Sequence, residues 1–276
     1  MGVKTRDFQP KPHFQSHHEQ DSTTTRNSKT VILQKKDANF TTGRTFAHFL
    51  LELCGFVLFF GYAAITMKSV CDRFMADGAS PIMAYRMLVA VVLGMSAADL
   101  TSGVVHWAVD NWGESDFPVL GSVFFRPFHH HHSDPSAITT HGFIERNGNN
   151  FLVSLPGIWA AANAITYPDP SSSFALASFW LAYTMCSGFA NEIHCFAHMK
   201  NPPWIVQKLQ DFGLLVSRRD HQVHHMRPHD RNYCLVTGWM NGPLTAIGLF
   251  EAMEGVINKV TGSVPLHARI GKGHGA

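Results

Sequence analysis

Four apolar runs of near-membrane length punctuate this chain. Phe46 to Met67 is apolar apart from His48 and Glu52, long enough for the roughly 20 residues that a bilayer-crossing helix needs. Ile82 to Ala98 follows, with Arg86 near one end, where a long cationic side chain can reach the interface. Phe151 to Tyr167 and Phe174 to Ala190 are the third and fourth. Tyr167-Pro-Asp-Pro-Ser-Ser-Ser173 between them has the composition of a tight turn. The last three runs hold about 17 residues each, which suits a thin bilayer such as the endoplasmic reticulum. Buried helices of a soluble bundle are the alternative, but four such runs in one small chain are hard to cover with protein. The pattern predicts an all-α integral membrane protein with about four transmembrane helices.

The polar stretches complete the layout. Residues 1–45 lack apolar periodicity and are basic, through Lys4, Arg6, Lys11, Arg26, Lys29, Lys35, Lys36 and Arg44. Such a segment buries too little apolar surface to fold and reads as a disordered arm. No apolar core follows its first basic residues, so it is not a signal peptide, and its acids disfavour a transit peptide. Arg6 stands where a myristoylation signal has Ser or Thr. The membrane domain then covers 46–265, and 266–276 is a tail. Trp204, Ile205, Lys208, Leu209, Phe212 and Leu215 follow helical spacing, as do Ile247, Phe250, Met253, Ile257 and Val260. Each stripe suits either the bilayer surface or packing against a cap.

Charge distribution orients the chain. The arm and the segment after Ala190 are rich in Lys and Arg. The connection 68–81 carries only Lys68 and Arg73, and the turn 168–173 carries neither residue type. Positive charge marks the cytosolic side, so with four spans both termini and residues 99–150 face the cytosol. The net charge of +2 adds little, and no nucleic-acid partner is expected. Five cysteines without a Cys-x-x-Cys pair exclude a disulfide framework and a zinc ribbon.

Histidine is the anomaly, at 18 residues against five tyrosines. The clustered ones lie in the two segments expected on the cytosolic side. His106 follows the second run. His131 and His132 end the run His129-His-His-His132. His194 and His198 are spaced i, i+4. His221, His224 and His225 form His-x-x-His-His. Residues three or four apart share a helix face, so their imidazoles can converge on one ion. Neutral imidazole suits iron, copper, nickel and zinc. A cluster poor in thiolate beneath apolar helices favours iron and oxygen chemistry over structural zinc. His48 has no partner in its span, and His13, His17, His18, His267 and His274 lie in tails. None of these is expected to bind metal. His129 and His130 read as neighbours of the ligands, while His141 and His229 stay open as ligands or as support. Asp99, Asp110, Asp134, Glu192, Asp211 and Asp220 lie near these groups and are candidates to hold the outer ring nitrogens, or simply helix caps. Asn191 is a candidate to hold a water on a metal.

These motifs resemble the Kua-type lipid desaturases. The resemblance rests on Asp99-Leu-Thr-Ser-Gly-Val-Val-His-Trp-Ala-Val-Asp-Asn-Trp-Gly113, Arg126-Pro-Phe-x-x-His-His-x-Asp-Pro135 and the run from Ala137 to Asn150. Arg218-Arg-Asp-His-Gln-Val-His-His-Met-Arg-Pro-His229 and Thr237-Gly-Trp-Met-Asn241 extend it, so that it covers about 85–265. The run from Asp134-Pro135 to His141 favours the plasmanylethanolamine desaturase branch. The plant plastid branch, which acts on a palmitoyl chain of phosphatidylglycerol, is similar at Leu209 to Arg219 and at Asn232-Tyr-Cys234. That branch lacks a histidine at 141 and has Tyr at 229, which leaves eight shared positions: His106, His131, His132, His194, His198, His221, His224 and His225. This sequence departs from the usual pattern at His129, His130 and Asp220.

The resemblance implies a cytosolic histidine-box cap holding two irons, with four imidazoles on each and His141 as a further candidate. It implies O2, with electrons from NAD(P)H through cytochrome b5 and its reductase. The expected reaction sets a 1′,2′ double bond in the sn-1 alkyl ether of ethanolamine phospholipids, and an acyl-lipid desaturation is the alternative. Arg126, Arg218 and Arg219 are expected phosphate contacts, or anchors to headgroups. A membrane metal transporter is the rival class. It requires ligands at mid-membrane, where only His48 lies.

Overall fold

The computed structural model describes residues 45–112 and 126–272, without the side chains at 126, 127, 129, 130 and 270–272. The expected arm, up to residue 44, and the end of the tail lie outside the described residues. The described residues from 47 onward form one compact unit. All regular structure among the described residues is helical: α1 Phe46–Asp77, α2 Pro81–Trp112, α3 Arg126–Ser133, a 3-10 turn Ala137–Thr139, α4 Phe143–Ala164 and α5 Pro170–Gly188. After these come α6 Ala190–His198, α7 Trp204–Asp211, α8 Arg218–His224, α9 Asn241–Ala246, α10 Leu249–Thr261 and α11 Leu266–Lys272. The segment expected as a tail from 266 therefore begins with a helix.

Helices α1 and α2, of 32 residues each, are about 48 Å long, more than the roughly 30 Å of a hydrocarbon core. Both are apolar enough to cross a membrane, and α5 with α6 meets the same test as a pair bent by 48°. The third expected run falls in α4, whose first turns carry Glu145, Arg146, Asn147, Asn149 and Asn150. Those residues keep α4 below the apolarity of a span. Two or three candidate spans therefore stand where the apolar runs suggested four. Val57 and Ile65 on α1 and Tyr85, Leu88 and Leu93 on α2 are exposed, as a surface solvated by lipid tails requires.

Small residues let the helices approach closely, as apolar surroundings favour. A Cβ added at Gly148 of α4 would lie 2.5 Å from Glu52 Cβ of α1 and 2.7 Å from its carbonyl oxygen. Beside this contact Phe59, Phe151 and Phe189 interlock, with the Phe59 and Phe151 ring centres 4.6 Å apart. The turn between α4 and α5 forms as its residues dictate. Asp169 caps α5 by accepting the Ser172 N–H, and Pro170 occupies the first turn. Arg73 of α1 donates to the carbonyls of Ile165, Tyr167 and Pro168 at the end of α4.

The two amphipathic stripes behave differently. On α10, Phe250, Met253 and Ile257 pack against Trp107, Tyr233 and Leu244, so the middle of this stripe serves the cap, while Ile247 and Val260 at its ends are exposed. On α7, Val206 is buried while Trp204, Ile205 and the following Phe212 are exposed.

One carboxylate ties the C-terminal segment to α2. Asp99 is fully buried. Its Oδ1 accepts the N–H groups of Val236, Thr237 and Gly238 at 2.9–3.0 Å, and its Oδ2 accepts that of Met240 at 3.0 Å. Hydrogen bonds to a charged group are worth about 1.5–3 kcal/mol each. Asp99→Ala is expected to remove about 3 kcal/mol or more and Asp99→Asn a smaller amount, read as lowered midpoints of thermal unfolding in detergent. A midpoint unchanged in Asp99→Ala contradicts the anchor.

Candidate metal centre

The histidine boxes lie on the ends of helices, and the helical repeat decides what each can reach. His106 and Asp110 stand four apart on the last turns of α2, and His194 and His198 four apart on α6. Such pairs share a face. His221 and His225 also stand four apart, on α8 and its cap, whereas His224 is turned from His225 by about 100°. The adjacent His131 and His132 on α3 diverge in the same way. Each adjacent pair therefore straddles two different points in space.

The structure shows two such points. His131, His194, His198, His221 and His225 offer five donor atoms that all lie within 4.8 Å of one another, and His106, Asp110, His132 and His224 offer four more. In the first set the Nε2 atoms of His194, His198 and His221 are 2.8–3.1 Å apart. His225 Nε2 lies 3.0 Å from that of His221, and His131 Nε2 3.1 Å from that of His225. In the second, Asp110 Oδ2 faces the Nε2 atoms of His106 at 3.2 Å, His132 at 3.1 Å and His224 at 3.3 Å.

Several of these atoms are buried without a hydrogen-bond partner, among them His106 Nε2, His224 Nε2 and both Asp110 oxygens. Leaving such groups unpaired is costly, and a cation at their centre meets that need. Two outer nitrogens are held by backbone. His106 Nδ1 donates to the Tyr233 carbonyl at 3.0 Å, and His224 Nδ1 to that of Arg231 at 3.0 Å. A carbonyl accepts only from an N–H, so Nδ1 carries a proton in both rings and Nε2 is the nitrogen left to face the other donors. Burial, followed by neighbouring imidazoles, pushes His131 and His221 well below the usual imidazole range. Both rings are held neutral and ready for a metal.

The other expected site residues are distributed as follows. His141 reaches neither set; its Nδ1 pairs with Glu145 at 3.0 Å and both are partly exposed. Asp110, expected to support a ligand, stands among the donors itself. Asp99 anchors the 236–240 segment and bonds no histidine ring. Asp134 bonds Ser136, a local turn. Asp220 closes a capping box with Ser217 on α8. Asp211 pairs with Lys208 at the surface. The side-chain amide of Asn191 donates to the Arg146 carbonyl, and Glu192 pairs with Arg146, so both tie helices together. His229 lies edge-on to His132, ring centres 4.6 Å apart, and its Nδ1 donates to the His224 carbonyl. Arg218 and Arg219 are exposed on α8, and the side chain of Arg126 lies outside the described residues. His267, in the expected tail, bonds Asn111 next to Asp110.

Sequence comparison meets this geometry from another direction. Residues 95–268, which contain every one of these donors, match the family of the lipid desaturase domain. The chain belongs to that family. A lipid desaturase fold thus carries both donor sets within its matched region. Among relatives, plasmanylethanolamine desaturase of Myxococcus xanthus is 42% identical over 67% of this chain and 65% of its own length. Plasmanylethanolamine desaturase 1 of Mus musculus is 39% identical over 65% of this chain and 68% of its own. The chloroplastic fatty acid desaturase 4 of Arabidopsis thaliana is 38% identical over 58% and 48%. The chain thus spans about two thirds of the first two relatives and half of the third. No solved structure matches.

His225→Ala is expected to weaken metal retention at the five-imidazole set and so to lower the bound metal per chain, because it removes one of five converging donors. His141→Ala is expected to retain all of it. Elemental analysis of the two purified variants checks both outcomes.

Proposed function

We propose that this lipid desaturase binds iron at both donor sets. The observation that carries this is the convergence of nine donors, six of them buried and three partly exposed, imidazole-rich and free of thiolate, on two neighbouring points. Two irons held there supply reductive activation of O2, the chemistry needed to take hydrogens from unactivated methylenes.

The chain's own contribution is geometry. The Tyr233 and Arg231 carbonyls fix the ring orientations of His106 and His224. Asp110 adds a negative oxygen to one set, while the other is built of neutral rings alone. Six of the nine donors are buried among the helices that carry them, which limits the access of water to the site.

The substrate reading follows the relatives. The protein acts as a plasmanylethanolamine desaturase, placing the 1′,2′ vinyl-ether bond in the sn-1 alkyl chain of ether phosphatidylethanolamine. Two relatives of that name support it, at 42% and 39% identity. A second reading, acyl-lipid desaturation, has the support of the plastid relative at 38%. Arg218 and Arg219 are exposed cations suited to the lipid phosphate.

Electrons come from NAD(P)H through cytochrome b5 and its reductase. The protein lies in the endoplasmic reticulum membrane with both termini and the metal centre facing the cytosol. The basic segments at either end support that orientation.

Two measurements test the reading. Purified protein is expected to hold about two irons per chain; stoichiometric zinc without iron sinks the mechanism. Cells lacking the protein are expected to lose vinyl-ether phosphatidylethanolamine and to accumulate its alkyl-ether precursor. Normal vinyl ethers with one altered acyl chain instead transfer the assignment to the second reading.

A further inference from the structure

Arg146 lies in the first turn of α4, yet its side chain is only 9% exposed and that of its partner Glu192 only 12%. Its Nε donates to Glu192 Oε2 at 2.8 Å and its Nη2 to Oε1 at 3.0 Å. The remaining arm, Nη1, donates to the carbonyls of His141 at 2.7 Å and Ile138 at 3.2 Å. Asn147 adds a hydrogen bond to Glu192 at 2.8 Å, and the Asn191 amide returns one to the Arg146 carbonyl at 2.9 Å.

A buried ion pair seldom adds net stability, because both partners give up water. What the planar guanidinium provides is fixed geometry at several points at once. Here it joins three pieces of chain: α4, the 137–141 segment that continues from α3, and α6. Glu192 stands two residues before His194, and α3 carries His131. His131, His194 and His198 all belong to the five-imidazole set. The four-donor set depends on other supports. His106 and Asp110 ride on α2, and His224 is held through the Arg231 carbonyl; only His132 shares α3.

We infer that the Arg146–Glu192 pair is a positioning device for the five-imidazole set. It holds α3 and α6 at the separation that metal binding there requires. The inference rests on the reading that both sets bind metal. Loss of a residue that orients ligands lowers metal affinity about 10–100-fold, so Arg146→Gln selectively empties one of the two sites.

The test counts iron in the full-length protein, purified and reconstituted anaerobically with ferrous iron. Wild type holds about two per chain. Arg146→Gln and Asp110→Ala each retain one, and the double variant retains none, because the two substitutions empty different sites. Arg146→Lys keeps the charge but not the fork, so its occupancy of the affected site is intermediate; it replaces Arg146→Gln throughout if that variant does not fold. Arg73→Gln serves as a structural comparison. It removes another fork onto backbone carbonyls, lowers the thermal midpoint and keeps both irons.

Three results overturn the inference: two irons in Arg146→Gln, none in the folded single variant, or one still present in the double variant. A wild type without metal sinks the underlying reading instead, which keeps the two failures apart.

Discussion

The carboxylate of Asp99 is the constraint on which the cap is hung. It sits inside a long apolar helix, where an unpaired charge is prohibitive. Four backbone N–H groups from residues 236–240 satisfy it. That bond set draws the C-terminal segment against α2, with Ser102 taking the next N–H at Leu235. The Tyr233 carbonyl then arrives at His106 Nδ1, and the same stretch of chain sends the Arg231 carbonyl to His224. A solvation requirement in one helix thus propagates into the orientation of two imidazoles. On the other side of the centre the Arg146 fork answers a similar need, gathering segments rather than backbone amides.

The two donor sets are unequal because of how adjacent residues project from a helix. His131 and His132 diverge, as do His224 and His225, and each pair gives one ring to each set. Three i, i+4 pairs then complete the picture differently. His194 with His198, and His221 with His225, enter one set, while His106 enters the other with Asp110 beside it. The result is five neutral donors at one point and three with a negative oxygen at the other. A metal held in the second set would therefore have one negative ligand and one held in the first none, so the two sites would differ in net charge and in reduction potential.

The boxes themselves were legible in the sequence, because i, i+4 spacing and a run of imidazoles leave few other readings. All eight shared histidines fall into the two sets. Asp110, expected to support a ligand, stands among the donor atoms, at the same four-residue spacing from His106 that marks His194 and His198. Where four spans were expected, two or three are apolar and long enough among the described residues, because the Asn-rich start of α4 offsets its apolar C-terminal half. The roles of Asp99 and Arg146 were opaque for a physical reason. Asp99 is met by backbone N–H groups of residues 236–240, and Arg146 by the carbonyls of Ile138 and His141 together with Glu192, a carboxylate 46 residues away; neither backbone bonding nor so distant a pairing leaves a mark in side-chain pattern. The stripe on α10 could be read either way, and only the packing of Phe250 on Trp107 distinguishes a cap-facing surface from a lipid-facing one.

Where the donors lie along the chain also imposes an order on biosynthesis. One set runs from His106 to His224 and the other from His131 to His225, so both wait for the same short helix. Until the ribosome has released α8, neither point has its full complement, and from then on both are complete within a single residue. The long helices α1 and α2 and the bent α5–α6 pair are all made before that moment. Full donor sets therefore exist only late in synthesis, after the candidate spans have been made, and a truncation anywhere before residue 224 removes donors from both sets.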